Sequence, residues 1–226
     1  MITVHHLNNS RSQRVLWLLE ELNLDYRIVN YQRDAKTMLA PAELKAVHSL
    51  GKSPVITDGD ITVAESGAIM EYLLDTYGDD RLRPPRGSKA GRQFTYWLHY
   101  AEGSIMPLMV MTLIFNRIET APMPFFIRPV AKGIVAKVKE GYLNPNISSH
   151  LDYMEAELAN SGWFAGDQFS AADIQMSFPV EAAQARGALQ GRDNLVKFLE
   201  RIHARPAYQH ALAKGGPFTL GSGKEK

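Results

Sequence analysis

The first eighty residues alternate between strand-like apolar runs and apolar positions at helical spacing. Residues 2–7 and 24–31 predict two strands. The segment between them carries the apolar stripe of a buried helix, formed by Val15, Leu16, Leu18, Leu19 and Leu22. A looser segment follows, with a short helix expected between Pro41 and His48.

A hairpin comes next, with a strand from Val55, a turn at Gly59-Asp60 and a return over residues 61–63. Ser66 then stands where a helix N-cap is expected, ahead of apolar positions at helical spacing up to residue 77. The predicted order β-α-β-α-β-β-α is typical of a thioredoxin-like α/β domain, which we place at residues 1–79.

The pattern changes at residues 80–87, a charged segment containing Pro84-Pro85 that predicts a linker. Residues 88–214 carry helical periodicity throughout and predict an all-α domain. Its first helix, 88–119, is expected to kink at Pro107. Residues 215–226 are rich in glycine and lysine and predict a flexible tail.

Composition is informative mainly because it argues against several classes of function. The 25 Lys and Arg residues balance 24 Asp and Glu residues, which argues against a nucleic-acid partner. No apolar run approaches the roughly 20 residues of a membrane span, and the N-terminus lacks the order of a signal peptide. These patterns predict a cytoplasmic protein with no membrane partner.

The chain contains no cysteine, so disulfides, thiolate metal sites and Cys-x-x-Cys redox pairs are impossible. Any sulfur chemistry must therefore use a bound thiol. The seven histidines are scattered without metal-ligand spacing, so no metal site is expected. His5 and His6 on one strand point to opposite faces.

The two ends of the hairpin suggest a binding site for an extended zwitterion. A cis bond before Pro54 would leave the backbone of Ser53 free to pair with a ligand. At the other end, Glu65 suits an ammonium group, whereas Ser66 and the helix start suit a carboxylate.

These residues resemble a known family, the glutathione S-transferases, which place a Ser-Pro or Val-Pro pair before strand three and Glu-Ser before the next helix. The two-domain plan resembles the same family over nearly the whole chain. The resemblance implies that glutathione is the co-substrate, with no other cofactor. It also implies that Ser53, next to cis Pro54, pairs with the cysteinyl backbone and that Glu65 and Ser66 hold the γ-glutamyl end.

Ser10 lies between the first strand and the first helix, four residues before Arg14, which is the spacing of the serine-type transferases. The resemblance makes Ser10 the catalytic residue. Activation must lower the pKa of a thiol from ~8.5, and a hydroxyl at a helix N-terminus contributes to this. Asn9 and Ser12 stay open as alternatives.

Lys52 is expected to meet the glycyl carboxylate of glutathione, and one further cation is expected from a set that stays open, formed by Lys36, Lys45 and His48. The hydrophobic electrophile is expected along residues 105–130. The candidates there are Met106, Met109 and Phe115, because methionine adapts to varied shapes.

The segment 8–15 and the proline-rich insertion resemble a bacterial and fungal branch of the family. The resemblance implies transfer of glutathione to hydrophobic electrophiles, possible peroxidase activity on organic hydroperoxides, and a homodimer in which helix 66–77 faces the long helix from residue 88. A non-catalytic module that binds glutathione or a protein is the alternative, and the hydroxyl of Ser10 favours the enzyme.

Overall fold

A four-stranded mixed sheet organises the N-terminal region of this computed structural model, which describes residues 1–34, 37 and 39–216. The strands are β1 Ile2–Leu7, β2 Tyr26–Tyr31, β3 Val55–Asp58 and β4 Ile61–Ala64. Their order is β2-β1-β3-β4, with β1 parallel to β2 and β3 antiparallel to both neighbours. With the helices between the strands, this arrangement confirms the predicted thioredoxin-like domain.

Three helices accompany the sheet: α1 Ser12–Leu22, α2 Leu44–Val47 and α3 Ser66–Tyr77. Strand β1 is buried along its whole length. Its last residue, Leu7, is therefore fixed in the core, and the turn that follows begins at a defined point. The start of α1 is consequently held close to the end of β1, where Ser10 lies.

The structure corrects the prediction that Ser66 is the N-cap of α3. Glu65 occupies the cap position with φ 73°, and Ser66 is the first helical residue, without a capping hydrogen bond. A positive φ is uncommon for a residue with a side chain. It turns the chain sharply between β4 and α3, so that the hydroxyl of Ser66 points inward.

The remaining helices form an all-α domain, as predicted. They are α4 Lys89–Tyr100, α5 Met106–Thr120, α6 Arg128–Val138, α7 Asn144–Ser161, α8 Ala171–Ala185, α9 Asp193–His203 and α10 Pro206–Gly215. Helix α8 is buried on almost all sides and packs against α1, α4 and α9, whereas α10 returns to α1. The apolar core therefore runs from the sheet domain into the helical domain without a break.

Two π-helical turns, Ala101–Ile105 and Lys139–Leu143, join α4 to α5 and α6 to α7. Each turn ends two residues before a proline, Pro107 or Pro145. A proline ring clashes with the carbonyl four residues earlier and lacks an N–H. The wider turn accommodates this defect, so the irregularity expected at Pro107 lies just before it.

The continuous helical stretch Lys89–Thr120 is long and apolar enough to pass a length-and-composition test for a membrane span, with a mean hydropathy of 1.3. Residues with polar side chains interrupt its apolar run, so this property was not recognised from the sequence. Part of the stretch packs against α8 in the helical domain, and 39% of the tested window is buried.

The predicted boundaries at residues 79, 87 and 214 stay predictions. Helix α3 ends at Tyr77, α4 begins at Lys89 and α10 ends at Gly215. Residues 217–226 of the predicted flexible tail lie outside the described residues, as does Lys36.

Candidate active site

A pocket of about 200 Å³ opens between the two domains. It is lined by Arg11, His48, Leu50, Lys52, Ser53, Pro54, Ala64, Glu65, Ser66 and Glu102. All five residues predicted to bind the tripeptide, from both ends of the β3–β4 hairpin, are in this lining. The hairpin thus brings together residues that are 13 positions apart in the sequence.

The peptide bond between Ser53 and Pro54 is cis. Pro54 is buried immediately before β3, and Ser53 is half-buried beside the pocket. The Oγ atom of Ser53 lies 3.4 Å from Oγ of Ser10. Ser10 therefore adjoins the cis-proline loop, although it is not part of the pocket lining itself.

Three polar side chains continue from Ser10 into the sheet domain. Oγ of Ser10 lies 2.7 Å from Oγ of Ser12, which in turn lies 2.8 Å from Nδ1 of His6. The three side chains are at most 4% exposed. Burial lowers the pKa of His6, and a hydrogen bond with the backbone of Gly215 partly opposes this effect. At neutral pH the ring is therefore uncharged.

At the opposite end of the pocket, the hydroxyl of Ser66 accepts two hydrogen bonds. Nη2 of Arg14 donates over 3.2 Å, and Nε2 of Gln175 donates over 3.3 Å. Ser66 is 2% exposed. Its oxygen is thus held by a helix of each domain, while its remaining hydrogen is free to serve an acceptor in the pocket.

Glu102, in the first π-helical turn, binds two arginines of the N-terminal domain. Arg14 donates to its carboxylate over 2.5 Å, and Arg11 donates to both oxygens over 2.7 and 2.8 Å. Burial disfavours the charged form of Glu102, but the two guanidinium groups outweigh it and hold the pKa of the carboxyl below its usual value. Both arginines also lie near the ring of Phe178, at 5.0 and 5.2 Å.

Among the basic residues in the pocket lining are Lys52 and His48. Lys52 is exposed there, and His48 lines the same wall with its Nδ1 atom buried and without a hydrogen-bond partner among the described residues. Lys45 is exposed and is not in the lining; its side chain lies against Gly51. Of the two members of the open set that the structure describes, Lys45 and His48, only His48 lines the pocket.

The three residues predicted to contact the electrophile are not in the lining of this pocket. Met106 and Met109 are 5% and 1% exposed and belong to the hydrophobic core, so neither presents surface to a substrate in this conformation. Phe115 is half-buried on α5. Side chains at a helical stripe of this kind pack inward because burial of each contributes about 1.5–3 kcal/mol.

Comparison with known proteins identifies the family. Residues 1–75 match the family model for the glutathione S-transferase N-terminal domain, and residues 118–206 match the model for its C-terminal domain. The chain is 37% identical over 224 residues to glutathione S-transferase 3 of Schizosaccharomyces pombe, covering 97% of this chain and 90% of that protein. The chain belongs to the glutathione S-transferase family.

The solved structures agree with this assignment. A glutathione S-transferase from Actinobacillus pleuropneumoniae is 33% identical and superposes with a TM-score of 0.80, covering 100% of this chain and 98% of that one. A sphingomonad glutathione S-transferase complexed with glutathione is 22% identical, with a TM-score of 0.72 over 95% and 98% of the two chains, and shares the fold. The protein is therefore a glutathione transferase, and glutathione is its co-substrate.

Sequence reasoning did not predict four residues that lie in or beside the pocket. Arg11 and Glu102 line the pocket, Gln175 holds Ser66, and His6 ends the hydroxyl chain. Glu102 had a visible signal, since the long helical stretch Lys89–Thr120 contains only two carboxylates, Glu102 and Glu119. Gln175 gave none, because a glutamine on a helix is unremarkable until its buried surroundings are known.

Proposed function

We propose that this transferase binds glutathione along the β3–β4 hairpin and activates its thiol with Ser10, for attack on hydrophobic electrophiles. The observation that supports this proposal is the common pocket of Lys52, Ser53, Pro54, Glu65 and Ser66, which Ser10 adjoins. Glutathione is an extended zwitterion, and the lining offers both cations and carboxylates along its length.

The roles follow from charge and position. Glu65 receives the γ-glutamyl ammonium, and the hydroxyl of Ser66 donates to the neighbouring carboxylate. The backbone of Ser53 pairs with the cysteinyl residue. Lys52, with His48 beside it, meets the glycyl carboxylate. These contacts leave the sulfur at Ser10 and the start of α1, whose helix dipole favours a thiolate.

Conjugation of glutathione to a chromogenic aryl halide tests the proposal. We expect Ser10→Ala to lower kcat/KM by about 100-fold, while affinity for glutathione stays close to the parent value. If Asn9→Ala or Ser12→Ala abolishes activity and Ser10→Ala does not, the assignment of Ser10 is wrong. A parent protein that binds glutathione without turnover would support the alternative of a non-catalytic binding module.

The same thiolate can attack the oxygen of an organic hydroperoxide, and we propose this as a second activity. A coupled assay of glutathione oxidation checks it, and Ser10→Ala should suppress both activities in parallel. If Ser10→Ala loses conjugation and keeps peroxidase activity, the two reactions do not share the thiolate prepared by Ser10. A parent protein that oxidises no glutathione in this assay would remove the hydroperoxide from the proposed substrates.

We also propose a cytoplasmic homodimer in which α3 faces the long helix α4–α5 of a second copy. Exposed apolar side chains on this stretch support the proposal, namely Tyr96, Val110, Leu113, Ile114 and Ile118. Light scattering is expected to give twice the mass of the chain. A monomer at micromolar concentration would contradict it.

A further inference from the structure

The buried hydroxyl chain behind Ser10 has a defined direction. Nδ1 of His6 lies 2.8 Å from Oγ of Ser12, and Gly215 lies beside the same ring. We assign the single proton of the neutral ring to Nε2, which leaves Nδ1 unprotonated where it faces Ser12. In this neutral tautomer Nδ1 has a lone pair and requires a donor.

The hydroxyl of Ser12 supplies that donor. Its contact with Nδ1 of His6 is 2.8 Å, whereas the alternative acceptor, the carbonyl of Leu7, is 3.4 Å away. With its own hydrogen committed to His6, Ser12 must accept from Ser10 across their 2.7 Å contact. Ser10 meanwhile accepts the backbone N–H of Ser12 over 3.2 Å.

This direction leaves Ser10 poorly suited to donate to a sulfur in the resting protein. Its hydrogen points away from the pocket, and its oxygen presents a lone pair there instead. A lone pair suits a thiol S–H, which donates, and not a thiolate, which accepts. The chain is therefore arranged to take a proton from the pocket rather than to deliver one.

We propose that His6 is the acceptor of the glutathione proton, reached through the hydroxyls of Ser10 and Ser12. This inference rests on the proposed function, since it places the thiol at Ser10. The S–H bond breaks, each hydroxyl passes its own proton along, and a new N–H bond forms at Nδ1 of His6. The products are a thiolate and an imidazolium, so charge and atoms balance without a further reactant.

The transfer also reverses the direction of the chain. Ser10 keeps the former thiol proton and now donates it to the thiolate, which is the hydrogen bond that stabilises the nucleophile. After attack, the sulfur is a neutral thioether and no longer needs this donor. The imidazolium then returns its proton through the same hydroxyls to water or the leaving group in the pocket, and the resting direction is restored.

The neutral state of the resting ring supports this role. Burial lowers the pKa of His6, so the free protein holds an unprotonated base ready at neutral pH. The imidazolium that forms has the hydroxyl oxygen of Ser12 as an acceptor at Nδ1. His6 is thus a base that acts at a distance from the sulfur, with Ser10 as the group in contact.

The test compares two neighbouring histidines in the full-length chain. In His6→Asn, the side-chain carbonyl can still accept from Ser12 but cannot take up a proton. His5→Asn is the matched control, because its ring lies on the other face of β1 and contacts Tyr31 at 3.0 Å. The readouts are thiolate absorbance of bound glutathione at neutral pH, kcat/KM for an aryl halide, and binding of S-methylglutathione.

We expect His6→Asn to lose the thiolate signal and about 100-fold in kcat/KM, with S-methylglutathione binding unchanged because that thioether has no proton to lose. His5→Asn should behave as the parent. If His6→Asn retains the thiolate and the rate, the inference is overturned, while a damaging Ser10→Ala would leave the proposed function standing. If Ser10→Ala is also harmless, the proposed function itself fails.

A second variant keeps the inference testable if His6→Asn does not fold. Ser12→Ala breaks the chain at its middle link and is judged by the same three readouts, with the same losses expected. A parent-like Ser12→Ala would overturn the inference. In mixtures of light and heavy water, the parent should give a curved dependence of kcat/KM on deuterium content, because several protons move together; a straight line would count against the chain.

Discussion

The two ends of the proposed glutathione site, a thiol end at Ser10 and a γ-glutamyl end at Ser66, are built on opposite principles. At the thiol end, Ser10, Ser12 and His6 are uncharged, lie in one domain and contact each other over 2.7 and 2.8 Å. At the γ-glutamyl end, Ser66 is held by charged and polar groups of both domains, including Arg14 and Gln175. One end is neutral and local, whereas the other is ionic and assembled from distant parts of the chain.

We infer from this difference that the thiol end serves the chemical step and the γ-glutamyl end serves binding. Neutral hydroxyls can act as either donor or acceptor, so a proton can pass along a chain of them. A buried guanidinium cannot exchange roles, because it only donates, but it fixes the geometry of whatever it holds. We therefore expect changes at the thiol end to affect turnover, and changes at the γ-glutamyl end to affect stability and affinity.

The largest effect is expected from Arg14→Met. Arg14 is 2% exposed, and its loss would leave the carbonyl of Gln175 without the donor that Arg14 provides. It would also remove one of the two donors to Ser66 and one of the two arginines of Glu102. Breaking a buried ionic contact costs about 3–5 kcal/mol. Urea unfolding should show this loss in the free energy of unfolding.

The matched control for Arg14→Met is Arg11→Met, which removes the other guanidinium from Glu102. The Arg11 side chain is 30% exposed, so the expected loss is about 1 kcal/mol or less. Equal losses from the two variants would contradict the expectation that the buried guanidinium of Arg14 contributes more to the free energy of unfolding than the partly exposed one of Arg11.

Ser66→Ala should mainly weaken the binding of glutathione. A lost hydrogen bond to a charged group costs about 1.5–3 kcal/mol, which corresponds to an affinity about 10- to 150-fold lower. Calorimetry measures the affinity, and steady-state kinetics should show a raised KM for glutathione with kcat nearly unchanged.

Ser88→Ala is the matched control for this serine, because Ser88 caps α4 by accepting from the N–H of Gly91 over 2.9 Å, away from the pocket. It should cost about 1 kcal/mol of stability and leave affinity intact. A Ser66→Ala variant that lowers kcat without raising KM would place Ser66 at the chemical step and undo the separation of the two ends.

The sequence predicted what depends on local pattern. The hairpin, its cis proline and the Glu65-Ser66 pair are close in the chain, and the period of the apolar positions fixes the strands and helices around them. The partners of Arg14 could not be found this way. Glu102 is 88 residues away and Gln175 is 161 residues away, so their contacts depend on how the domains pack.

The methionines of the long helix illustrate a second limit. Met106 and Met109 form an apolar stripe, and such a stripe looks the same whether it lines a site or fills the core. The structure assigns them to the core. The sequence did carry a signal for the two π-helical turns, because the same Glu-Gly pair precedes a proline at the same spacing in both. The two segments are Glu102-Gly103 with Pro107 and Glu140-Gly141 with Pro145.

The smallest expected effect concerns Glu102 in the first of these two turns, and it is seen in how protein stability depends on pH. The pKa of Glu102 is lowered in the folded protein, so its contribution to stability is present above the unfolded pKa of about 4.3 and is lost as pH falls through the folded value. Glu102→Gln should therefore be less stable than the parent at neutral pH, by about 1 kcal/mol, with the difference disappearing in acid.

Urea midpoints across a pH series measure this convergence. Glu140→Gln makes the same change at the matching position of the second π-helical turn, where the side chain is exposed, and should run parallel to the parent at every pH. If both variants converge with the parent in acid, the effect belongs to the turns and not to the arginines. Only a convergence specific to Glu102 supports an ionic γ-glutamyl end, because the carboxylate of Glu102 contacts the guanidinium groups of both Arg11 and Arg14.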